Sequence, residues 1–444
     1  VIIGNEVNQP KSRGHADLHM SHTASNDHGQ TVKIVVVTYG TEGDTRPLAA
    51  LCRALMDAGH QVLLLADAST LGSATGLGIP SQALSGDIRT ALQPKAKLSG
   101  SSGKKGGFTN AAKALAELAN ANTAAWMREV ADATAGCDVI MASALAAFVA
   151  LSVAEYRGIP AIGTGFIPIT PTADFPSPFL PPGLVPRVLN RSSHRLVNEL
   201  VWRTLRKTTN AARASVCGLP ARAHVWTDHP MLYGVSPALI AQPQDWPPNA
   251  LACGQWALPD PQWSPPPELE AFLASGEPPV YVGFGSMAGL DPHRTTEALI
   301  AAVDGRRALF YPGWSGVEPP SLPDNVFVVG DTPHTWLFPR TSMVVHHGGS
   351  GTSHSAARAG KPSVVVPFAG DQFFWADRLR RLGVADRPVN ARKMDRSEIM
   401  RCIAFAERDE VRAQAIELGS RMSGEEGLGS AVLAVERLVA AGVK

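Results

Sequence analysis

The sequence is short of the features that mark several protein classes. Its 444 residues hold five cysteines, Cys52, Cys137, Cys217, Cys253 and Cys402, odd in number and with no C-x-x-C pair. That argues against a disulfide framework and a cysteine zinc site, and it suits a reducing cytoplasm. Long apolar runs are missing too. One long uncharged, apolar stretch, 139–154, is rich in Ala and Ser. It falls short of the ~20 residues a spanning helix needs and reads as a buried strand running into a helix. Blocks of like charge are absent: Lys104-Lys105 is typical of the basic clusters and the net charge is +1, so a nucleic-acid partner is not indicated. There is no G-K-[ST], which excludes a P-loop. Residues 1–30 lack a charged segment followed by an apolar one and are not read as a secretory signal. They carry His15, His19, His22 and His28 without any core-forming pattern. Residues 1–31 are therefore expected to be a disordered or vector-derived tail, with Met20 a candidate natural start.

What is present is α/β alternation, twice. "KIVVVTYG" (33–40) is a continuous β-branched run of the kind found in buried parallel strands. "PLAALCRALMDAGH" then places Leu48, Leu51, Leu55 and Ala58 on one helical face, Gly59 closes the helix, and "QVLLLAD" is the next strand. This is a βαβ unit, the opening of a doubly wound sheet. "SGSSGKKGG" (99–107) reads as a flexible loop, 111–133 and 187–216 as helices, and "CDVIMAS" as a strand. Residues 166–186 are proline-rich and read as irregular chain rather than a packed element. A second proline-rich stretch, within 241–267, reads as a linker between a domain at 32–240 and one at 268–425. In the latter, "PPVYVGFGSM", "RRALFYPG", "NVFVVGD", "SMVVHHGG" and "PSVVVPFAGD" read as strands and "TTEALIAAVDG" as a helix. The last helix puts Leu428, Ala431, Val432, Val435, Leu438 and Val439 on one face.

The chemistry concentrates in "MVVHHGGSGTSHSAARAGKPSVVVPFAGDQ", 343–372. A metal site is disfavoured, because adjacent strand residues point to opposite faces and His346 and His347 cannot both aim at one ion. A dinucleotide fingerprint fails because His354 stands where G-x-G-x-x-G needs its third small residue, although Asp371 lies where a ribose-binding acid would be. A diphosphate cradle fits better. A strand feeds a glycine-rich turn and a helix whose first N–H groups and dipole favour an anion. Ser350 and Thr352 add hydroxyls and His346 an imidazole donor. The plain alternative is an ordinary Ser/Thr-capped α/β turn.

"HHGGSGT…RAGKPSVVVPFAGDQFFWADRL" resembles the donor-site signature of the family-1 glycosyltransferases, the UDP-glycosyltransferase superfamily. It is most similar to the bacterial branch of antibiotic-aglycone and sterol-glucosyltransferase-like proteins. The resemblance extends over most of the chain after about residue 31, through "GTEGDTRPL", "PTADFPSP", "VYVGFGSM" and "GDTPHTWLFP". It implies the GT-B architecture: two Rossmann-like domains facing across a cleft, the first binding the acceptor and the second the nucleotide sugar. A C-terminal helix, within 426–444, would cross back to the first domain.

The same resemblance assigns residues. His346, Ser350, Gly351 and Thr352, with Ser286 from "GFGSM", would hold the donor diphosphate. Asp371 and Gln372 would hydrogen-bond sugar hydroxyls. Thr332, His334 and Trp336 would hold the base; plant members carry their stacking Trp where Asp331 stands here. Trp375 occupies a place where plant members often carry Asn. Asp44 matches the general base that takes the acceptor hydroxyl's proton, with Glu42 a second choice; an N-cap for a helix starting near Pro47 is the structural alternative for Asp44. Phe108, Trp126, Phe148, Phe166 and Phe175 are candidates for lining an apolar acceptor cleft, although any one of them is better explained by core packing.

The expected activity is inverting, metal-independent transfer of a hexose from UDP-glucose or a dTDP-sugar to a hydroxyl of a polyketide, sterol, terpenoid, flavonoid or lipid. No cofactor or metal is expected beyond the co-substrate, and a transient membrane-surface contact would suit such acceptors. The competing readings are a catalytically silent glycosyltransferase-fold activator or binding partner, and a nucleotide-dependent oxidoreductase.

Overall fold

Apolar runs without polar alternation demand a sheet covered on both faces. A computed structural model, describing residues 31–92, 107–258, 263–284, 300, 303–313, 322–391, 393 and 395–442, shows how they are covered. Among the described residues, seven strands form the first sheet: β1 (Lys33–Val37), β2 (Gln61–Asp67), β3 (Ser81–Leu84), β4 (Val139–Ser143), β5 (Ala161–Gly165), β6 (Met231–Tyr233) and β7 (Ala250–Ala252). Their order is β3-β2-β1-β4-β5-β6-β7, parallel throughout. The second sheet holds β8 (Val280–Gly283), β9 (Ala308–Tyr311), β10 (Val326–Val328), β11 (Met343–His346) and β12 (Ser363–Val365). Its order, β10-β9-β8-β11-β12, is also parallel.

Strand alternation divides β1 between two cores. Ile34 and Val36 pack with Leu48, Leu51 and Leu55 of the helix Glu42–Asp57. Val35 and Val37 pack with Trp126 and Val130 of the helix Gly107–Ala133, with Val149 of Ala147–Arg157 and Leu205 of Asn190–Cys217. All these side chains are nearly fully buried, so trimming a Leu such as Leu51 to Ala should cost about 2–5 kcal/mol.

The final helix, Gly427–Ala440, belongs to the first of these cores. Its Ala431 and Val435 pack into the cluster around Leu48 and Leu51, and its Glu436 lies 3.2 Å from His60 Nε2. Its start passes backbone to backbone over residue 254. Gly254 has φ +105°, and a Cβ there would meet the Gly427 Cα at 2.8 Å. A Cβ on Gly427 would in turn meet the Gln255 carbonyl oxygen at 2.5 Å.

Two expectations change. The proline-rich residues 166–186 are irregular, but the first part, to about Ser177, is closely packed, whereas 181–186 are mostly exposed. Tyr233 Oη accepts from the Thr170 N–H at 2.9 Å, Asp245 accepts from the Thr172 hydroxyl and the Ala173 N–H, Asn190 Nδ2 donates to the Ala173 carbonyl, and Ser193 Oγ accepts from the Ser177 N–H. Side chains here supply the partners that regular structure would otherwise give the backbone. The stretch read as a linker also contributes β7, hydrogen-bonded to β6, with Trp246 packed on Tyr233; three-residue strands fall below what periodicity detects. The expected helix at 295–305 lies largely outside the described residues, as do the tail and the loop at 99–106.

Candidate active site

In each sheet the strand order reverses beside the first strand, between β1 and β4 and between β8 and β11. Loops leaving the carboxyl ends of such strand pairs diverge and open a crevice. The candidate residues emerge there: Asp44 shortly after β1, and His346 at the end of β11, in register with Gly283 of β8.

Asp44 occupies the first turn of the helix Glu42–Asp57, whose N-cap is Thr41, so the helix begins five residues before Pro47. Its Oδ2 accepts from the Thr41 N–H at 2.9 Å, with the Thr41 hydroxyl at 3.4 Å, which makes it the acidic member of a capping box. Burial pushes its carboxyl above the usual aspartate range, against the two Thr41 hydrogen bonds. A Cβ on Gly40 would overlap the Asp44 carboxylate, so glycine at 40 is what lets the side chain lie there. Glu42, the second choice, sits 3.8 Å from Arg46, whose other end reaches Asp331 at 3.3 Å.

On the opposite side, Gly349 is the N-cap of the helix Ser350–Arg358 and supplies no side chain to its first-turn N–H groups. Those groups are therefore open to a ligand. Gly351 is exposed, and a Cβ there would meet nothing within 4 Å. His346 is completely buried. Its Nδ1 accepts from the Gly348 N–H at 3.1 Å, and burial pushes its pKa down to about 3. A neutral imidazole accepting at Nδ1 carries its proton on Nε2, and that Nε2 is buried without a partner. His347, half-buried, points its Nε2 toward Gly349 and is likewise neutral, its pKa about 4 through burial.

Asp371 follows β12. Its Oδ2 accepts from Trp375 Nε1 at 2.9 Å. Burial pushes its pKa up to about 6, the Asp44 charge adds to this, and the Trp375 bond opposes it. Gln372 Oε1 accepts from the Phe368 and Ala369 N–H groups at 2.7 and 3.1 Å, so its carbonyl braces the loop.

Several of the assigned side chains already have partners within the protein. The Ser350 hydroxyl donates to the Phe166 carbonyl at 2.9 Å, a bond joining the two halves, so its proton is engaged and the backbone N–H is the group left for a ligand. Trp336 does not share a pocket with His334. The two lie two residues apart in a four-residue helix, hence on opposite sides. His334 stacks on Phe338 at 4.1 Å, whereas Trp336 packs on Trp263 at 5.0 Å beneath the Arg340 guanidinium. Thr332 is nearly buried and donates to the Gly330 carbonyl.

Of the aromatic candidates, Trp126 is a core residue: fully buried, packed on Tyr39 at 4.3 Å, and donating to the Ser85 carbonyl. Phe148 packs between Trp202 and Trp226. Phe175 is buried against Phe374 and Arg378, where the halves meet. Phe166, edge-on to Trp256, is the one of these four that lies beside the donor loop. Ser286 and the Phe108 side chain lie outside the described residues.

Sequence reasoning missed His354. It is buried and neutral, donating from Nδ1 to the Ser350 carbonyl at 2.7 Å and accepting at Nε2 from the Ser236 N–H at 3.1 Å, with its ring edge-on to Trp375. Its place one turn after Ser350 was the available signal. Among the described residues no three His, Cys, Asp or Glu side chains cluster as a metal site would require, and no helix is long and apolar enough to cross a membrane.

Two doubly wound parallel sheets, with a carboxylate at one switch point and a helix N-terminus with a buried imidazole at the other, define the GT-B class of transferases. Residues 296–427 match the erythromycin biosynthesis protein CIII-like C-terminal domain. The chain is 31% identical over 420 residues to a sterol 3-beta-glucosyltransferase of Arabidopsis thaliana, covering 91% of this chain and 68% of that protein. It is 32% identical over 429 residues to the O-mycaminosyltylonolide 6-deoxyallosyltransferase of Streptomyces fradiae, covering 91% and 97% respectively. The glycosyltransferase VinC, solved with dTDP, superposes with a TM-score of 0.63 at 17% identity, covering 92% of this chain and all (100%) of that one. This chain belongs to the family-1 glycosyltransferases, in the branch that holds sterol and antibiotic glycosyltransferases, and it is a glycosyltransferase enzyme.

Proposed function

We propose that the enzyme moves a hexose from a nucleotide diphosphate sugar to a hydroxyl of a lipophilic small molecule, with inversion and without a metal. UDP-glucose is the first donor to test and a dTDP-sugar the second, the latter prompted by VinC. The first sheet and its helices are assigned to the acceptor, the second to the donor. The observation that carries this reading is the cradle formed by the unpartnered Nε2–H of His346 and the uncapped helix Ser350–Arg358, with the half-buried carboxylates Asp44 and Asp371 in the segments after β1 and β12.

In this mechanism the donor diphosphate lies on the N–H groups of Ser350, Gly351 and Thr352 and on His346 Nε2, with Ser286 assigned by resemblance. The helix dipole and these donors stabilise the charge that develops as the diphosphate leaves. Asp371 accepts from sugar hydroxyls through the oxygen that Trp375 does not engage, and Gln372 adds its amide. The base lies along Thr332–His334. Asp44 Oδ takes the acceptor proton while the acceptor oxygen attacks the anomeric carbon opposite the leaving diphosphate, which inverts that centre. An ordinary aspartate is a weak base at neutral pH; burial makes this one stronger, in the direction general-base catalysis needs. Phe166 and Trp256 are the proposed apolar wall of the acceptor site.

The test is a metal-free panel of UDP- and dTDP-sugars against sterol, macrolide and phenolic acceptors, read by mass spectrometry. A hexose added to at least one acceptor, with the opposite anomeric configuration to the donor, supports the proposal. Absence of both sugar transfer and nucleotide release with every pair refutes it.

A further inference from the structure

Most of the large apolar side chains left exposed among the described residues fall in one stretch of the chain, 179–201. Val188 is 90% exposed and Leu184 64% exposed; Phe179, Leu189, Leu196 and Leu200 are exposed beside them in the sequence. Leu196 and Leu200 lie one turn apart on the helix Asn190–Cys217, whose opposite face buries His194, Trp202 and Leu205. Phe179, Leu184, Val188 and Leu189 come from the proline-punctuated chain and short 3₁₀ turn leading into it. Exposed apolar clusters of this kind mark interaction surfaces.

The charge around them is one-sided. Arg187, Arg191, Arg195, Arg203, Arg206 and Lys207 are exposed on the same stretch, against the single acid Glu199 between residues 176 and 210. Glu199 pairs with Arg203 and Asp245 with Arg191. Arg187, Arg195 and Lys207 have no ion pair among the described residues. An exposed apolar stretch bordered by uncompensated cations matches the two layers of an anionic membrane face, hydrocarbon below and phosphate at the surface.

We propose that this surface docks the enzyme on anionic phospholipid bilayers, with Phe179, Leu184, Val188, Leu196 and Leu200 entering the acyl boundary and Arg187, Arg195 and Lys207 meeting lipid phosphates. The same chain leads inward. From this stretch it runs back through Phe175 and Thr170 to Phe166, whose carbonyl holds Ser350 at the donor loop. Docking therefore places the acceptor side of the crevice near the phase in which a lipophilic acceptor dissolves. Only that purpose rests on the proposed acceptor class; the docking itself does not.

Flotation of the full chain with phosphatidylcholine vesicles, and with vesicles containing phosphatidylglycerol, tests this without any turnover. The protein should float with the anionic vesicles and release as salt is raised. Arg187→Glu with Arg195→Glu should weaken partitioning, about five-fold per charge removed. Leu196→Ser with Leu200→Ser should lower it at least about ten-fold. Unchanged thermal midpoints and UDP binding identify the variants as folded; should the leucine pair not fold, Val188→Ser, at a side chain that packs on little, replaces it. No flotation with any vesicle, or flotation unchanged in the folded variants, overturns the proposal. So does a concentration-dependent dimer abolished by the leucine substitutions, which would make the surface a protein interface.

Discussion

Replacing Asp371 by Asn should stabilise the protein while damaging its chemistry. The native carboxyl is held at about 6 against an ordinary 3.8. Between about pH 4 and pH 6 the folded protein keeps a proton that the unfolded chain has released, so this group's stabilising contribution is complete below about pH 4 and lost as pH rises to about 6. At 1.36 kcal/mol per tenfold in acidity, the penalty at neutral pH approaches about 3 kcal/mol, and partial exposure brings it nearer about 2 kcal/mol. Asn carries no charge to desolvate and keeps a carbonyl that can accept from Trp375 Nε1. The variant should unfold at higher urea than wild type at about pH 7, and the gap should close near pH 4, where Asp371 is already neutral. Its kcat/KM should drop about 10- to 100-fold, the loss of a charged hydrogen bond to a sugar hydroxyl. A variant no more stable than wild type at neutral pH, or a gap that persists in acid, would refute the argument that Asp371 is held charged against its surroundings for function.

Asp44→Asn should lower kcat about 10²–10⁴-fold while UDP affinity, measured by calorimetry, stays near wild type; retained turnover would move the base elsewhere. Gly40→Ala should mimic it in part, since the new methyl displaces the Asp44 carboxylate, and circular dichroism should report an intact fold beside a lowered kcat. His346→Ala should weaken nucleotide diphosphate binding about 10- to 100-fold, as expected for one charge-assisted hydrogen bond, and equal binding would place the diphosphate elsewhere. Trp375→Phe removes the bond that lowers the Asp371 pKa, so the alkaline arm of that titration, followed by NMR or by the pH profile of KM, should move upward.

The parallel strands of both halves were legible because buried strands leave uninterrupted runs such as "KIVVV" and "MVVH". The short strands β6 and β7 were not, since three residues carry no period and Trp246 and Tyr233 earn their burial only in the folded sheet. Prolines at 166–186 suggested loose chain, yet Asp245, Asn190 and Ser193, all distant in sequence, complete its hydrogen bonding. Asp44, His346 and Asp371 lie at or just after strand ends, and it is the family resemblance that picks them out. What sequence could not tell is which groups are already engaged: the Ser350 hydroxyl is taken by Phe166, and Trp126 by the core. Helical position did carry one unread message, that His334 and Trp336 face opposite ways.

The bare crossing of Gly254 and Gly427 bears on how members of this family can be recombined. The chain passes this point once on its way out of the first sheet and again when its last helix returns, and neither strand of the crossing has room for a single methyl group. A chimera that joins halves of two relatives must therefore keep glycine at both positions. A half that brings a larger residue to position 254 or 427 would put a side chain under the crossing, lift the returning helix off Leu48 and Leu51, and loosen the acceptor half without altering any residue that touches substrate.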